Sequence, residues 1–213
     1  MVLGLVGLGA IGLTQYDDPS RTAIAVEPGS AGIGRSLTGL TAKDIEGRSV
    51  FAPVKGAKAT VILLTSTTCP LCLKYGPTLA SLEDAFTPKG VSFIFVNPSD
   101  VESMPDIKAQ AKKLGLKGPV VHDKNQVWTN KLDSVTTTEA YLVDSKGKLV
   151  YRGAVDDQYS IGATLPKPRN RYLADALSAV LKGKTPKVQA TKAPGCVLAE
   201  VFASNQKVPT FHE

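Results

Sequence analysis

The sequence predicts an α/β fold: a central mixed sheet flanked by helices, with an extension at each end. Two observations carry that expectation. Continuous apolar, β-branched runs alternate with segments of helical period, the pattern of parallel strands joined by crossover helices. The last strands instead form an alternating hairpin, which places an antiparallel edge beside the parallel centre. With 213 residues, 43% of them hydrophobic, the chain is long enough for one well-buried core and short for two.

Residues 1–35 read as an apolar start followed by a flexible lead-in rich in Pro, Gly and Ser. Val2–Leu13 has the length of a signal-peptide hydrophobic region rather than of a membrane span, and no Lys or Arg precedes Arg21. An extracytoplasmic location, periplasmic or membrane-anchored, is expected from that run, with membrane contact only if it acts as an anchor. Gly7-Leu-Gly9-Ala-Ile-Gly12 spells the G-x-G-x-x-G of a dinucleotide-binding turn. The stretch after it lacks helical periodicity, so the match is a chance one.

The folded domain is expected over residues 36–183. "SLTGLTAKDIEGRSVFAPV" reads as short strands around a turn at Asp44–Gly47. "ATVILLT" (59–65) is a strand buried on both faces, and "LCLKYGPTLASLEDAF" continues as a helix to a stop at Pro88–Gly90. "VSFIFVN" (91–97) is a second buried strand. Residues 101–114 read as an amphipathic helix with Val101, Met104, Ile107, Ala111 and Leu114 on one stripe. A short strand near 119–122, a short helix near 125–132, a hairpin over 139–155 and a final helix over 169–183 follow. Residues 184–213 form a Pro-punctuated tail, expected to run extended over the surface and carrying Cys196.

Composition removes several function classes. The net charge of +6 comes from 25 Lys and Arg against 19 Asp and Glu, spread along the chain, and only 6% of residues are aromatic. That leaves little to stack bases, so no nucleic-acid partner is expected. Three cysteines are too few for a disulfide scaffold, so the fold must stand on its core.

The chemistry concentrates in "STTCPLCLKYGP" (66–77). Cys69 follows the end of a strand, and Cys72 lies in the first turn of the helix, where free N–H groups and the helix dipole stabilise a thiolate. The spacing lets the second thiol reach the first and resolve a mixed disulfide. Pro70 suits the first helical position, where its missing N–H is not needed. Cys196 is either a small buried residue or free thiol in the extended tail, or a third redox or metal-binding thiol folded back over the pair. His122 ends a strand and, with Cys69 and Cys72, forms an alternative copper set; two thiolates and one imidazole suit soft Cu(I). Asp156 and Asp157 are expected in a loop ion-pair network with Arg152, and Trp128 as a packing residue.

At these residues the chain resembles the thioredoxin superfamily. Cys69-Pro-Leu-Cys72 is similar to its redox motif, and Pro77 stands where those proteins carry a helix-kinking proline. "GLTAKDIEGRSV" and "TTTEAYLVDSKGKLVYRGAVDDQY" resemble the redoxin branch, which includes the alkyl hydroperoxide reductase/thiol-specific antioxidant and TlpA-like proteins. The resemblance implies a thioredoxin-like fold and thiol–disulfide exchange with protein or small-molecule partners, without a cofactor. Cys69 would be the exposed attacking thiol and Cys72 the buried resolving one. Three positions depart from the family. Thr138 stands in place of the cis-proline, and a cis bond before a non-proline residue costs about 3 kcal/mol, so a trans peptide is expected. Leu63 replaces a buried acid, which leaves Glu139 as the nearest candidate for a proton relay. Ser66 matches one peroxide-holding position of a peroxiredoxin but Ile62 does not match the other, so peroxidase activity is an alternative rather than the favoured reading. The remaining alternatives are a copper metallochaperone and an inactive interaction module.

Overall fold

Strand β3 (Ala59–Leu64) is buried at every position, as its unbroken apolar sequence requires. It forms the middle of a five-stranded sheet ordered β5-β4-β3-β6-β7. The computed structural model describes residues 25–198. Strands β4 (Val91–Asn97) and β5 (Val120–His122) run parallel to β3, while β6 (Ala140–Asp144) pairs antiparallel with β3 and β7 (Leu149–Gly153) antiparallel with β6. The mixed sheet and its helices are a thioredoxin-like fold. A separate hairpin, β1 (Leu40–Lys43) with β2 (Ser49–Ala52), turns at Asp44, whose carboxylate accepts from the backbone N–H of Glu46 and Arg48.

Alternation along the strands divides the core into two layers. On one face Val61 and Leu63, Phe93 and Phe95, and Leu142 pack against helices α1 (Pro70–Phe86), α2 (Met104–Leu114) and α4 (Tyr172–Leu181). On the other, Ile62, Leu64, Ile94, Val96 and Tyr141 meet the hairpin and helix α3 (Val127–Leu132) through Leu40, Val50, Trp128 and Leu132. Two two-residue strands, β8 (Tyr159–Ser160) and β9 (Ala163–Thr164), complete the described elements.

Several expectations are corrected. Helix α2 begins at Met104, because Ser103 caps it by accepting from the Asp106 N–H and Pro105 occupies its first turn. Ile107, Ala111 and Leu114 form the buried stripe, but Val101 precedes the helix and is 86% exposed, and Met104 is also exposed. Arg152 pairs with Glu139 rather than with Asp156 or Asp157; Asp157 instead accepts from Arg169 N, Asn170 N and the Asn170 side chain.

The two extensions show more than the sequence declares. The described part of the tail, to Leu198, runs extended but is docked, with Ala190, Thr191, Ala193 and Leu198 buried; residues 199–213 lie outside the described residues. Arg152 N donates to Gln189 O and Thr191 N to Arg152 O, so the tail adds a strand-like segment along β7. Two glycines allow the approach. A Cβ on Gly153 (φ 139°) would lie 2.3 Å from the Thr191 carbonyl, and one on Gly195 (φ 153°) 2.0 Å from the Thr137 carbonyl. The lead-in joins the same seam, with Val26 N donating to Ala190 O, and residues 31–35 reach the sheet through Gly34 N on Leu149 O. The apolar run at Val2–Leu13 lies outside the described residues.

Candidate active site

The end of β3 and the start of α1 place Cys69 at the helix N-cap (φ −81°, ψ 116°) with Pro70 at the first helical position, itself exposed. The Cys69 carbonyl accepts the first helical bond, from Leu73 N. Cys72 then sits one turn in, and its thiol hydrogen-bonds to the Cys69 sulfur. All three cysteines are free thiols.

That contact sets the electrostatics of the pair. The hydrogen bond from Cys72 is the strongest influence on Cys69; it outweighs the opposing effect of burial and, with a second bond from Thr137, lowers the Cys69 thiol from 9.0 to about 4. The same bond pushes Cys72 up, and burial and the neighbouring negative charge push it further. One sulfur is thus held as a thiolate at neutral pH and the other as a protonated thiol, the division of roles that disulfide exchange needs.

Cys69 is not the exposed thiol that the resemblance implies. It is 1% exposed, and the tail runs beside it. Thr137 forms the hinge of that contact. Its hydroxyl donates to Cys69 Sγ over 3.1 Å and accepts from Cys196 N over 3.0 Å, while its own N–H donates to Cys196 O. The Cys196 side chain is in hydrogen-bonding contact with Cys69, and desolvation together with the Cys69 charge raises its pKa. Cys69 therefore has Cys72 beside it within the domain and Cys196 beside it on the tail, the latter joined through Thr137.

The other residues singled out in the sequence fall in different places. Pro77 lies inside α1, two turns beyond Cys69, where it withholds an N–H from the helix and lines a cleft of about 290 Å³ with Val155, Asp156 and Arg171 rather than facing the thiols. The peptide before Thr138 is trans, but Thr138 adopts φ 66°, left-handed backbone that a β-branched residue rarely occupies. Its N–H donates to Leu64 O and its hydroxyl to Pro194 O. Glu139 is committed elsewhere, bonded to Arg152 Nε over 2.7 Å and to Val135 N, so its carboxylate is engaged in an ion pair rather than aimed at a proton relay. His122 ends β5 with Nε2 on the Ser99 carbonyl at 2.7 Å. The structure does not bring it to the cysteines, and among the described residues no group of three His, Cys, Asp or Glu side chains is placed to hold a metal.

Two site residues escaped the sequence reading. Thr137 is one. Glu102 is the other: this carboxylate is 8% exposed and accepts from Ser66 Oγ (2.6 Å), Asn97 Nδ2 (2.6 Å), Thr67 N (2.8 Å) and Thr68 Oγ1 (3.1 Å). Desolvation works to raise its pKa, yet these bonds prevail and hold it at about 2. Gln110 adds a bond to Ser66 O, so the loop before Cys69 is tied to β4 and α2 from below. The clue in the sequence was the run of donors Ser66-Thr67-Thr68 beside an apolar strand, which needs an acceptor once buried.

Comparison with known proteins is consistent with this geometry. The family model for redoxins matches residues 37–165. The chain belongs to the redoxin family. That membership supports oxidoreductase chemistry in general for this redoxin. Among solved structures it is similar to an uncharacterized conserved protein from Geobacillus kaustophilus, with 28% identity, TM-score 0.72, and 78% of this chain and 91% of that chain covered. It is also similar to a hypothetical protein from Sinorhizobium meliloti 1021 (22% identity, TM-score 0.69, coverage 83% and 94%) and to StoA from Bacillus subtilis (24% identity, TM-score 0.50, coverage 56% and 90%). The last two likenesses concern the fold. No curated protein matches the chain.

Proposed function

We propose that this redoxin is a thiol–disulfide oxidoreductase working through Cys69 and Cys72. The observation that carries the reading is the hydrogen-bonded thiol pair at the N-terminus of α1, with Cys69 held as a thiolate and Cys72 as its proton-bearing neighbour. The Cys69 thiolate attacks one sulfur of a partner disulfide, and the other partner sulfur leaves as a thiolate. Cys72 then gives up its proton and attacks Cys69 Sγ, releasing the second partner sulfur and closing the Cys69–Cys72 disulfide. Two electrons pass to the partner; the reverse sequence oxidises a partner dithiol. Partners are protein or small-molecule thiols and disulfides. An extracytoplasmic setting is part of the proposal and is supported by the apolar run at Val2–Leu13. Among the described residues no helix is long and apolar enough to cross a membrane.

The test is the redox equilibrium of the pair in graded dithiothreitol buffers, read by thiol trapping and mass spectrometry. A Cys69–Cys72 disulfide with a defined potential is expected, together with loss of exchange against a model disulfide in Cys69→Ser. Thiols that stay reduced across the series, or undiminished exchange in Cys69→Ser, would show the assignment to be wrong.

A further inference from the structure

Cys69 and Cys72 are 1% and 2% exposed, so the direct attack described above needs the pair uncovered before a protein-sized partner can reach it. Cys196 is exposed, yet it is not a thiol on a loose tail. Backbone bonds fix it on both sides: Cys196 N on Thr137 Oγ1, Thr137 N on Cys196 O, and Leu198 N on Val135 O at 3.0 Å, with an antiparallel bridge between Thr136 and Val197. Gly195 beside it has no room for a Cβ, and Leu198 beyond it is buried. The Cys196 side chain is exposed, yet a single hydroxyl, Thr137 Oγ1, spans from Cys69 Sγ (3.1 Å) to Cys196 N (3.0 Å), which keeps the exposed thiol next to the buried one.

We propose that Cys196 is a third redox thiol: it forms a disulfide with Cys69 and is the point at which the buried pair exchanges with partner dithiols and disulfides. The proposal rests on the Cys69–Cys72 reading above. Starting from the oxidised pair, the Cys196 thiolate attacks Cys69 Sγ. The Cys69–Cys72 bond breaks, Cys72 leaves and takes a proton, and the Cys69–Cys196 disulfide forms. A partner thiolate then attacks the exposed Cys196 Sγ, and the electron pair of the broken bond stays on Cys69. The second partner thiol displaces Cys196, which regains a proton, and the partner departs as a disulfide. Two electrons have entered the protein, and each step reverses when the partner arrives oxidised. The second step fits its leaving group, because Cys69 is the sulfur that carries negative charge most easily; the first step expels the poorer leaving group, Cys72, and is completed by its protonation. The relay resolves the conflict between a nucleophile built for exchange and its burial.

Two measurements on the full chain test the proposal. Cys72→Ser, with Cys72→Ala as a second variant should the first not fold, is equilibrated with oxidised dithiothreitol and mapped by non-reducing peptide mass spectrometry. An intramolecular Cys69–Cys196 disulfide is expected; a free Cys69, or only bridges between chains, overturns the relay. Oxidised wild type and Cys196→Ser, with Cys196→Ala beside it, are then compared for the rate of reduction by a dithiol peptide. Both variants should form the Cys69–Cys72 disulfide but react about tenfold or more slowly. An unchanged or faster rate overturns the relay while leaving the Cys69–Cys72 function standing. Absence of the Cys69–Cys72 disulfide in wild type and variants alike would instead remove the function on which the relay rests.

Discussion

Two loops face Cys69, and they are held in different ways. The loop Thr65–Thr68 is fixed from inside the domain: Glu102, from the loop between β4 and α2, and Gln110, from α2, satisfy its polar groups. The loop Ser134–Thr138 carries a threonine in left-handed backbone, a conformation that costs on the order of 1–3 kcal/mol and persists only where the surroundings over-determine it. Its surroundings include the tail, through Cys196 on Thr137 and Pro194 on Thr138. The position of the nucleophile thus belongs to the redoxin domain, while its surroundings are shared between a strained loop and the C-terminal segment.

The sharpest way to break this contrast is to remove the anchor of the first loop. Glu102→Ala leaves three buried or half-buried partners, the Ser66 hydroxyl, the Thr67 N–H and the Asn97 amide, without their acceptor, and with them the exposed Thr68 hydroxyl. Loss of a hydrogen-bonded buried carboxylate of this kind costs about 3 kcal/mol, read as a lower midpoint in urea unfolding. The sign of the pH dependence follows from the depressed pKa. The Glu102 contribution is present above its ordinary value of 4.5 and is lost as pH falls toward about 2, so wild type and variant converge in strong acid. Equal midpoints at neutral pH would mean that the loop is fixed by something other than Glu102.

A somewhat smaller effect is expected in the second loop. Thr138→Pro restores the residue usual in the superfamily, yet the ring fixes φ near −65° where this backbone has 66°, and it deletes the N–H that donates to Leu64 O. A loss of about 2 kcal/mol or more is expected. Thr138→Gly, which tolerates the left-handed backbone, should stay within about 0.5 kcal/mol of wild type. A neutral Thr138→Pro would show that the loop adopts the family's conformation without penalty, and the contrast between the loops would disappear.

Which parts of this arrangement could be read from the sequence follows from how each is encoded. Strands β3 and β4 are continuous apolar runs, and the cysteine pair stands between a strand and a helix start, so both declare themselves locally. Cys196 could be named as a candidate third thiol, but not its docking. The tail pairs through backbone groups along β7 and the Thr136–Thr137 segment, and its close approach is written only in Gly153 and Gly195, which elsewhere would signal an ordinary turn. Glu102 was hidden because a charged residue between a strand and a helix looks solvated until the donors around it are known. The start of α2 was legible after all: Ser103 followed by Met104-Pro105 is a cap signal that outweighs the apolar periodicity suggested by Val101.

The smallest expected effect tests the bond that joins the two regions at the thiol itself. Thr137→Val removes the hydroxyl that donates to Cys69 Sγ and accepts from Cys196 N, while keeping the side chain's shape. One lost hydrogen bond to a thiolate is worth roughly 1.4 kcal/mol, or about one pKa unit, so Cys69 should titrate about one unit higher, followed by ultraviolet thiolate absorbance. The bond from Cys72 remains, so Cys69 should still ionise well below 9.0. Stability carries the same sign. The depressed Cys69 pKa stabilises the reduced protein fully above 9.0, progressively less as pH falls from 9.0 to about 4, and not at all below that. Cys72, whose pKa is raised, adds an opposing slope only above 9.0. The stability gap between wild type and Thr137→Val due to this bond should therefore narrow as pH drops through the Cys69 titration. An unshifted Cys69 titration would mean that Cys72 and Cys196, without Thr137, set the nucleophile, and that Thr137 serves only to hold the tail.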